Sequence, residues 1–208
     1  MKKILTFLLA ITSAYVVHGQ ISAKLMQYMD VSETQITFVY GGDIWIVDKE
    51  GGTALQVTNS PGEESWPRFS PDGKHIGYTA SYQGNQDVYV IPVGGGIPTR
   101  VTYQSNADRM VDWHPNGQKI LFASRLEMGQ RSTRHFYLVD KEGGFPEKLK
   151  VPYGELGSFS PDGNQLAYIT KITENYPFKR YRGGLASDII IYDMVNNTAE
   201  NITNNHAN

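Results

Sequence analysis

A chain of 208 residues that is 40% hydrophobic and 12% aromatic carries enough apolar material for a substantial core, which excludes a disordered polypeptide. Its 19 Lys and Arg against 21 Asp and Glu give a net charge of −2, so composition offers neither the basic field of a nucleic-acid-binding protein nor an acidic tail. Many glycines (21) and tyrosines (13) with few charges (19%) suit an all-β protein with tight turns.

In chain order, Lys2 and Lys3 precede an apolar run from Ile4 to Val17, interrupted only by Thr6, Thr12 and Ser13. Val17-His18-Gly19 then supplies modest residues at a cleavage site, so residues 1–19 are expected to be a signal peptide and 20–208 an exported, periplasmic chain. The run is shorter than the ~20 residues a spanning helix needs. It is not repeated later, so no membrane partner is expected once the signal is cleaved. There is no cysteine, so an exported domain of this kind must be held by its core alone.

The strongest signal is an internal repeat. Trp66-Pro67-Arg68-Phe69-Ser70-Pro71-Asp72-Gly73 recurs as Asp112-Trp113-His114-Pro115-Asn116-Gly117 and as Ser158-Phe159-Ser160-Pro161-Asp162-Gly163. Phe69 to Trp113 is 44 residues and Trp113 to Phe159 is 46. Asp43-Ile44-Trp45-Ile46-Val47 and Asp87-Val88-Tyr89-Val90-Ile91 are likewise 44 apart, and His135-Phe136-Tyr137-Leu138-Val139 and Asp188-Ile189-Ile190-Ile191-Tyr192 continue the series. Gly51-Gly52, Gly95-Gly96 and Gly143-Gly144 follow the first three of these runs, and Val57-Thr58, Val101-Thr102 and Ile202-Thr203 close three units.

Ser-Pro-Asp-Gly suits a type I turn followed by a left-handed glycine, which predicts a three-residue hairpin loop. The Gly-Gly pairs predict a second turn, and the Val-, Ile-, Tyr- and Phe-rich runs between turns predict strands. The second unit then holds strand a (Trp66–Ser70), strand b (His75–Ala80), strand c (Asp87–Pro92) and strand d (Pro98–Thr102). Four short strands on a 44- to 46-residue period make a β-propeller blade. The fold class is all-β, with four-stranded antiparallel blades at 22–65, 66–109, 110–155 and 156–208. Four blades of an expected six leave the last face uncovered, so the natural protein is expected to continue. Phe69, Trp113 and Phe159 are expected to be buried between blades.

A search for chemistry finds little. The five histidines, His18, His75, His114, His135 and His206, have no partner at metal-ligand spacing. No Gly-x-Ser-x-Gly elbow is present, and the Gly-Gly runs precede strands rather than helices. Neither catalytic residues, nor a metal, nor a cofactor is expected. One face does stand out. The a–b and c–d turns share one end of a propeller, and the variable b–c and d–a loops share the other. Arg125, Arg131, Arg134, Lys171, Lys179, Arg180 and Arg182 outnumber Glu127, Glu155 and Glu174 on that second end by four charges. Arg109, Arg180, Tyr181 and Arg182 are therefore candidates to bind acidic groups such as a peptide carboxylate. The competing reading has the same arginines, and Tyr181 between two of them, joining neighbouring blades.

Together, Phe38-Val39-Tyr40-Gly41-Gly42-Asp43-Ile44-Trp45, Ala107-Asp108-Arg109, the three turn motifs and Lys179-Arg180-Tyr181-Arg182-Gly183-Gly184 resemble the PD40 repeats of TolB-like propellers. They resemble still more the N-terminal propeller of the tricorn protease family. That resemblance covers nearly the whole mature chain. It implies a large serine peptidase acting on oligopeptides, with a second propeller, a PDZ domain and a catalytic domain downstream of the six-bladed one. This chain ends before such domains. The implied role is a non-catalytic propeller that admits or positions peptides, with the rest of the same protein, and further copies of it, as partners. The alternative is a TolB-like module that binds a protein partner in the cell envelope.

Overall fold

The computed structural model describes residues 25–126, 133–172 and 187–203. Their sixteen strands form four separate antiparallel sheets of four, each in chain order. Blade 1 holds β1 (Gln27–Val31), β2 (Gln35–Tyr40), β3 (Asp43–Asp48) and β4 (Leu55–Gln56). Blade 2 holds β5 (Glu64–Phe69), β6 (His75–Ala80), β7 (Asp87–Pro92) and β8 (Thr99–Arg100). Blade 3 holds β9 (Asp108–Trp113), β10 (Lys119–Ser124), β11 (His135–Asp140) and β12 (Glu147–Lys148). Blade 4 holds β13 (Leu156–Phe159), β14 (Gln165–Ile169), β15 (Ile189–Asp193) and β16 (Thr198–Asn201). The first strands lie against one another, β1 on β5, β5 on β9 and β9 on β13, and so form an inner wall. This is propeller architecture.

Strands b and c of the second unit fall where the sequence puts them, but its outer two strands shift. Strand a starts two residues early, at Glu64, and strand d shrinks to Thr99–Arg100. Glu64 reads as a polar loop residue yet is 3% exposed, which hides the strand from a pattern search. The outermost strand is held by just two ladder positions, Tyr89 with Arg100 and Val90 with Thr99.

The a–b turn is also one residue longer than expected. The Ser70 amide donates to the His75 carbonyl (2.8 Å), enclosing Pro71, Asp72, Gly73 and Lys74, while the Gly73 amide donates to the Ser70 carbonyl (2.8 Å). Gly73 sits at φ +67°, as its left-handed position requires. The Ser70 hydroxyl accepts from the His75 amide (3.0 Å), standing in for the missing ladder carbonyl, and donates to Asp72 (2.6 Å). Ser160 repeats both bonds in blade 4. These hydrogen bonds, led by the serine's, hold Asp72 and Asp162 below the usual carboxylate range.

Apolar burial belongs to the seams between blades. Val39, Ile44 and Ile46 of blade 1 pack with Phe69, Ile76 and Tyr78 of blade 2. Val88 and Val90 of blade 2 pack with Met110, Trp113 and Phe122 of blade 3, and Val111, Leu121 and Phe136 of blade 3 with Leu166, Tyr168 and Tyr192 of blade 4. Phe69 and Trp113 are buried as expected, but Phe159 is only partly so. Polar bonds cross each seam as well. The Phe69 amide donates to Asp30 (2.8 Å), the Phe159 amide to Asp112 (3.1 Å), and the Trp113 indole to the Arg68 carbonyl (3.0 Å).

Three equivalent amides lie at or just before the starts of the inner strands. Glu64 donates to the Gly42 carbonyl (3.1 Å), Asp108 to Gln86 (2.8 Å) and Gly154 to Arg134 (2.9 Å). Glycine at the third position is imposed by packing: a Cβ there would lie 2.1 Å from the Phe136 ring. Gly154→Ala is expected to lower stability by about 1–3 kcal/mol through overpacking, read as a fall in the urea midpoint at unchanged m-value.

Candidate functional site

The inner wall opens at the end carrying the b–c and d–a connections into a cleft of about 800 Å³. All four blades contribute to it: Tyr28 and Gly42 from blade 1, Glu63 and Trp66 from blade 2, Arg109 from blade 3 and Ile172 from the b–c loop of blade 4. This is the end at which the sequence places variable loops on a rigid scaffold.

Tyr28 and Trp66 hold equivalent positions in β1 and β5, each at a register shift of its strand pair. Both adopt left-handed backbone, at φ +52° and +56°, a conformation that costs a bulky residue about 1–3 kcal/mol. Their ring centroids are 4.4 Å apart, and the Arg109 guanidinium lies 5.1 Å from the Trp66 ring centroid.

Arg109 is in turn tied to blade 4. Its Nη1 donates to Glu155 Oε2 (2.9 Å), and Arg134 Nη1 donates to the same oxygen (2.8 Å), with all three side chains largely buried. Burial, then the neighbouring charge of Arg134, pulls Arg109 below its usual range, and Glu155 opposes both. The site thus places two guanidinium charges against one carboxylate. A chain of contacts, Tyr28 to Trp66 to Arg109 to Glu155, crosses four blades at the rim of the cleft.

Beside it, the Glu64 carboxylate bridges blades 1 and 2. It accepts from the Ile44 amide (3.1 Å), the Thr58 hydroxyl and the Tyr82 hydroxyl. Burial still raises its pKa, against the hydrogen bonds from Thr58 and Tyr82. The Val-Thr and Ile-Thr pairs closing three units acquire a reason here: Thr58, Thr102 and Thr203 accept an amide near the start of strand c of their own blades, from Ile44 (2.8 Å), Val88 (2.9 Å) and Ile189 (3.0 Å). Asp43, Asp87 and Asp188, which precede those amides, accept from Gln56, Arg100 and Thr203 in the last segment of the same blade.

Of the four residues singled out by sequence, Arg109 lines the cleft and also joins blades 3 and 4 through Glu155. Arg180, Tyr181 and Arg182 lie outside the described residues, as does the signal segment. Sequence reasoning missed Tyr28, Trp66 and the pairing of Arg109 with Glu155. The 46-residue interval from Arg109 to Glu155 is one blade period and could have shown that they are neighbours. Among the described residues no group of three or more His, Asp or Glu could hold a metal ion, and no helix is long and apolar enough to cross a membrane. Glu155→Gln, which leaves two largely buried arginines without their shared anion, is expected to cost about 3 kcal/mol of stability, whereas Glu147→Gln, in an exposed pair with Lys119, is expected to cost well under about 1 kcal/mol. Chemical denaturation of the two variants checks the contrast.

Comparison with known proteins adds the lineage. Tricorn protease homolog 1 of Streptomyces coelicolor is 29% identical over 160 residues, which are 75% of this chain and 14% of that protein. A protein of Sulfurisphaera tokodaii named as a tricorn-like protease N-terminal subunit is 25% identical over 173 residues, 80% of this chain and 86% of its own length. The chain therefore spans a small part of the first relative and most of the second. Among solved structures, the tricorn protease aligns with 86% of this chain and 18% of its own at a TM-score of 0.73 and 22% identity. TolB from Acinetobacter baumannii aligns with 81% of this chain and 40% of its own at 0.62 and 22%. Both show a shared fold. Residues 23–208 match the tricorn protease N-terminal beta propeller domain, and the chain belongs to that family.

Proposed function

We propose that this propeller admits or positions oligopeptides for a serine peptidase centre carried elsewhere in the same protein, exported to the periplasm and assembled from several copies. The observation that carries the reading is the cleft at the inner-wall mouth, to which all four blades contribute and which Arg109 lines. The Arg109 guanidinium offers donors to a carboxylate such as a peptide C-terminus, with Glu63 and Glu64 on the same lining. Family membership and the basic stretch Lys179-Arg180-Tyr181-Arg182 support it. Export rests on the Lys2-Lys3 start and the apolar run behind it.

The fold shared with TolB supports a second reading, a protein-binding module of the cell envelope. The downstream reading frame separates the two. A PDZ-like segment and a hydrolase domain support the first, whereas two further blades and a stop codon support the second.

In the full-length protein, Arg180→Glu with Arg182→Glu is expected to lower kcat/KM for peptides with a free C-terminus by roughly tenfold more than for their amidated forms, since a hydrogen bond to a charged group is worth about 1.5–3 kcal/mol. Equal losses for both substrate types, with a lower melting temperature, would assign these arginines to blade packing instead.

A further inference from the structure

The acid positions at the starts of the inner strands are occupied unequally. Glu64 at the first seam has an amide and two hydroxyls on its carboxylate. At the third seam Gly154 carries no acid. Asp108 at the second seam is 1% exposed, yet neither carboxylate oxygen has a hydrogen-bond partner of normal geometry. One methylene shorter than Glu64, it leaves the Val88 amide to Thr102 alone. Ser124, its partner in the β9–β10 register, is equally buried, and its hydroxyl lies near the carboxylate without a hydrogen bond of normal geometry.

A buried carboxylate with neither amide nor cation is disfavoured in its charged form. Burial raises Asp108 to about 6, opposed by the nearby hydroxyls of Ser124 and Thr102, and the Asp87 carboxylate raises it further while Arg100 lowers it. Arg100 is already committed to Asp87, at 2.8 Å. Other charged or titratable groups are Arg109 and Asp112 on β9 itself, Glu64 and Arg68 on β5, His75 and Tyr78 on β6, Tyr89 on β7, Lys119 on β10, His135, Tyr137 and Asp140 on β11 and Glu155 before β13.

We propose that Asp108 is a proton-operated latch between blades 2 and 3, closing the seam when neutral and loosening it when ionised. Its own amide and that of Met110 are the backbone bonds at stake, the first to the Gln86 carbonyl and the second to the Thr79 hydroxyl (2.8 Å). Arg109 lies between these two residues, so seam and cleft rim move together. The proposal does not depend on what the cleft binds.

The sign follows from linkage. An acid whose folded pKa is raised stabilises the closed seam below the pKa of the open state and loses that contribution as pH rises through its folded pKa. With 3.8 for the open state and about 6 for the closed one, closure weakens about tenfold between about pH 5 and 7.5.

Hydrogen exchange on the full chain, corrected for intrinsic rates, reads this directly. Protection of the Asp108 and Met110 amides is expected to fall about tenfold over that range, with the Gly154 amide at the third seam, where no acid stands, as the comparison site. Asp108→Asn is expected to abolish the fall, and Asp108→Glu, with the reach of Glu64, to shrink it. His135, in register beside Ser124, is the group a pH profile could confuse with Asp108, so His135→Gln is expected to preserve the fall. Flat protection in the parent, or a fall that survives in Asp108→Asn, would overturn the latch. Should the Asn variant not fold, the carboxyl carbon of Asp108 can be titrated by NMR in the parent protein, where a midpoint at or below about 4 would overturn it equally.

Discussion

A four-stranded blade in this chain has two apolar faces and can bury neither by itself, so everything else depends on how one blade meets the next. The contrast is visible along the strands. After its first residue, every position of β6 and β10 is buried, while β14 alternates as a sheet with one covered face does. Apolar contact supplies the driving force for each seam but no direction, since two flat faces can slide or rotate with little change in buried area. The direction comes from polar groups crossing the seam, above all Asp30 and Asp112 on the Phe69 and Phe159 amides and the Trp113 indole on Arg68. They fix the rotation of each blade on its neighbour, and with it the positions of the side chains at the cleft.

That over-determination explains how two aromatic residues can persist in left-handed backbone. Tyr28 is packed against the first seam and Trp66 against the second, and the rings touch each other across the blades. Each is held by a neighbour that is itself held. The bulges in β1 and β5 turn the two residues off the regular pleat, which aligns them with Arg109 along the rim. Strain of this kind marks a place where the fold spends stability on geometry.

The repeat made the blade plan legible from sequence because turns and paired central strands obey local rules. Gly73, Gly117 and Gly163 take the left-handed positions their turns require, and β6 and β7 begin and end where the β-branched and aromatic runs do. What stayed hidden depends on partners a blade away. Glu64 looks like loop and is buried, because its partners Ile44 and Thr58 come from the preceding blade. Arg109 looks like a free rim charge and is anchored, because Glu155 arrives from the next one. Phe159 keeps the motif of Phe69 and Trp113 but not their burial, since burial is set by what packs on the residue and not by the motif.

The two ends of the inner wall differ in how faithfully they keep the repeat. At the a–b turns, Pro71, Pro115 and Pro161 match, as do the glycines two residues on, and Ser70 recurs as Ser160 with His114 between them. At the cleft, equivalent positions diverge: Glu64, Asp108 and Gly154 at the seam amides, then Ser65, Arg109 and Glu155 beside them. Divergence has a structural consequence that uniformity would forbid. Three identical acids at the second set of positions would repel across the seams, and three arginines equally so. An arginine followed one blade later by a glutamate forms a bond instead, and recruits Arg134 to leave a surplus positive charge. The end that keeps the repeat builds the scaffold, and the end that breaks it is the one with chemical character.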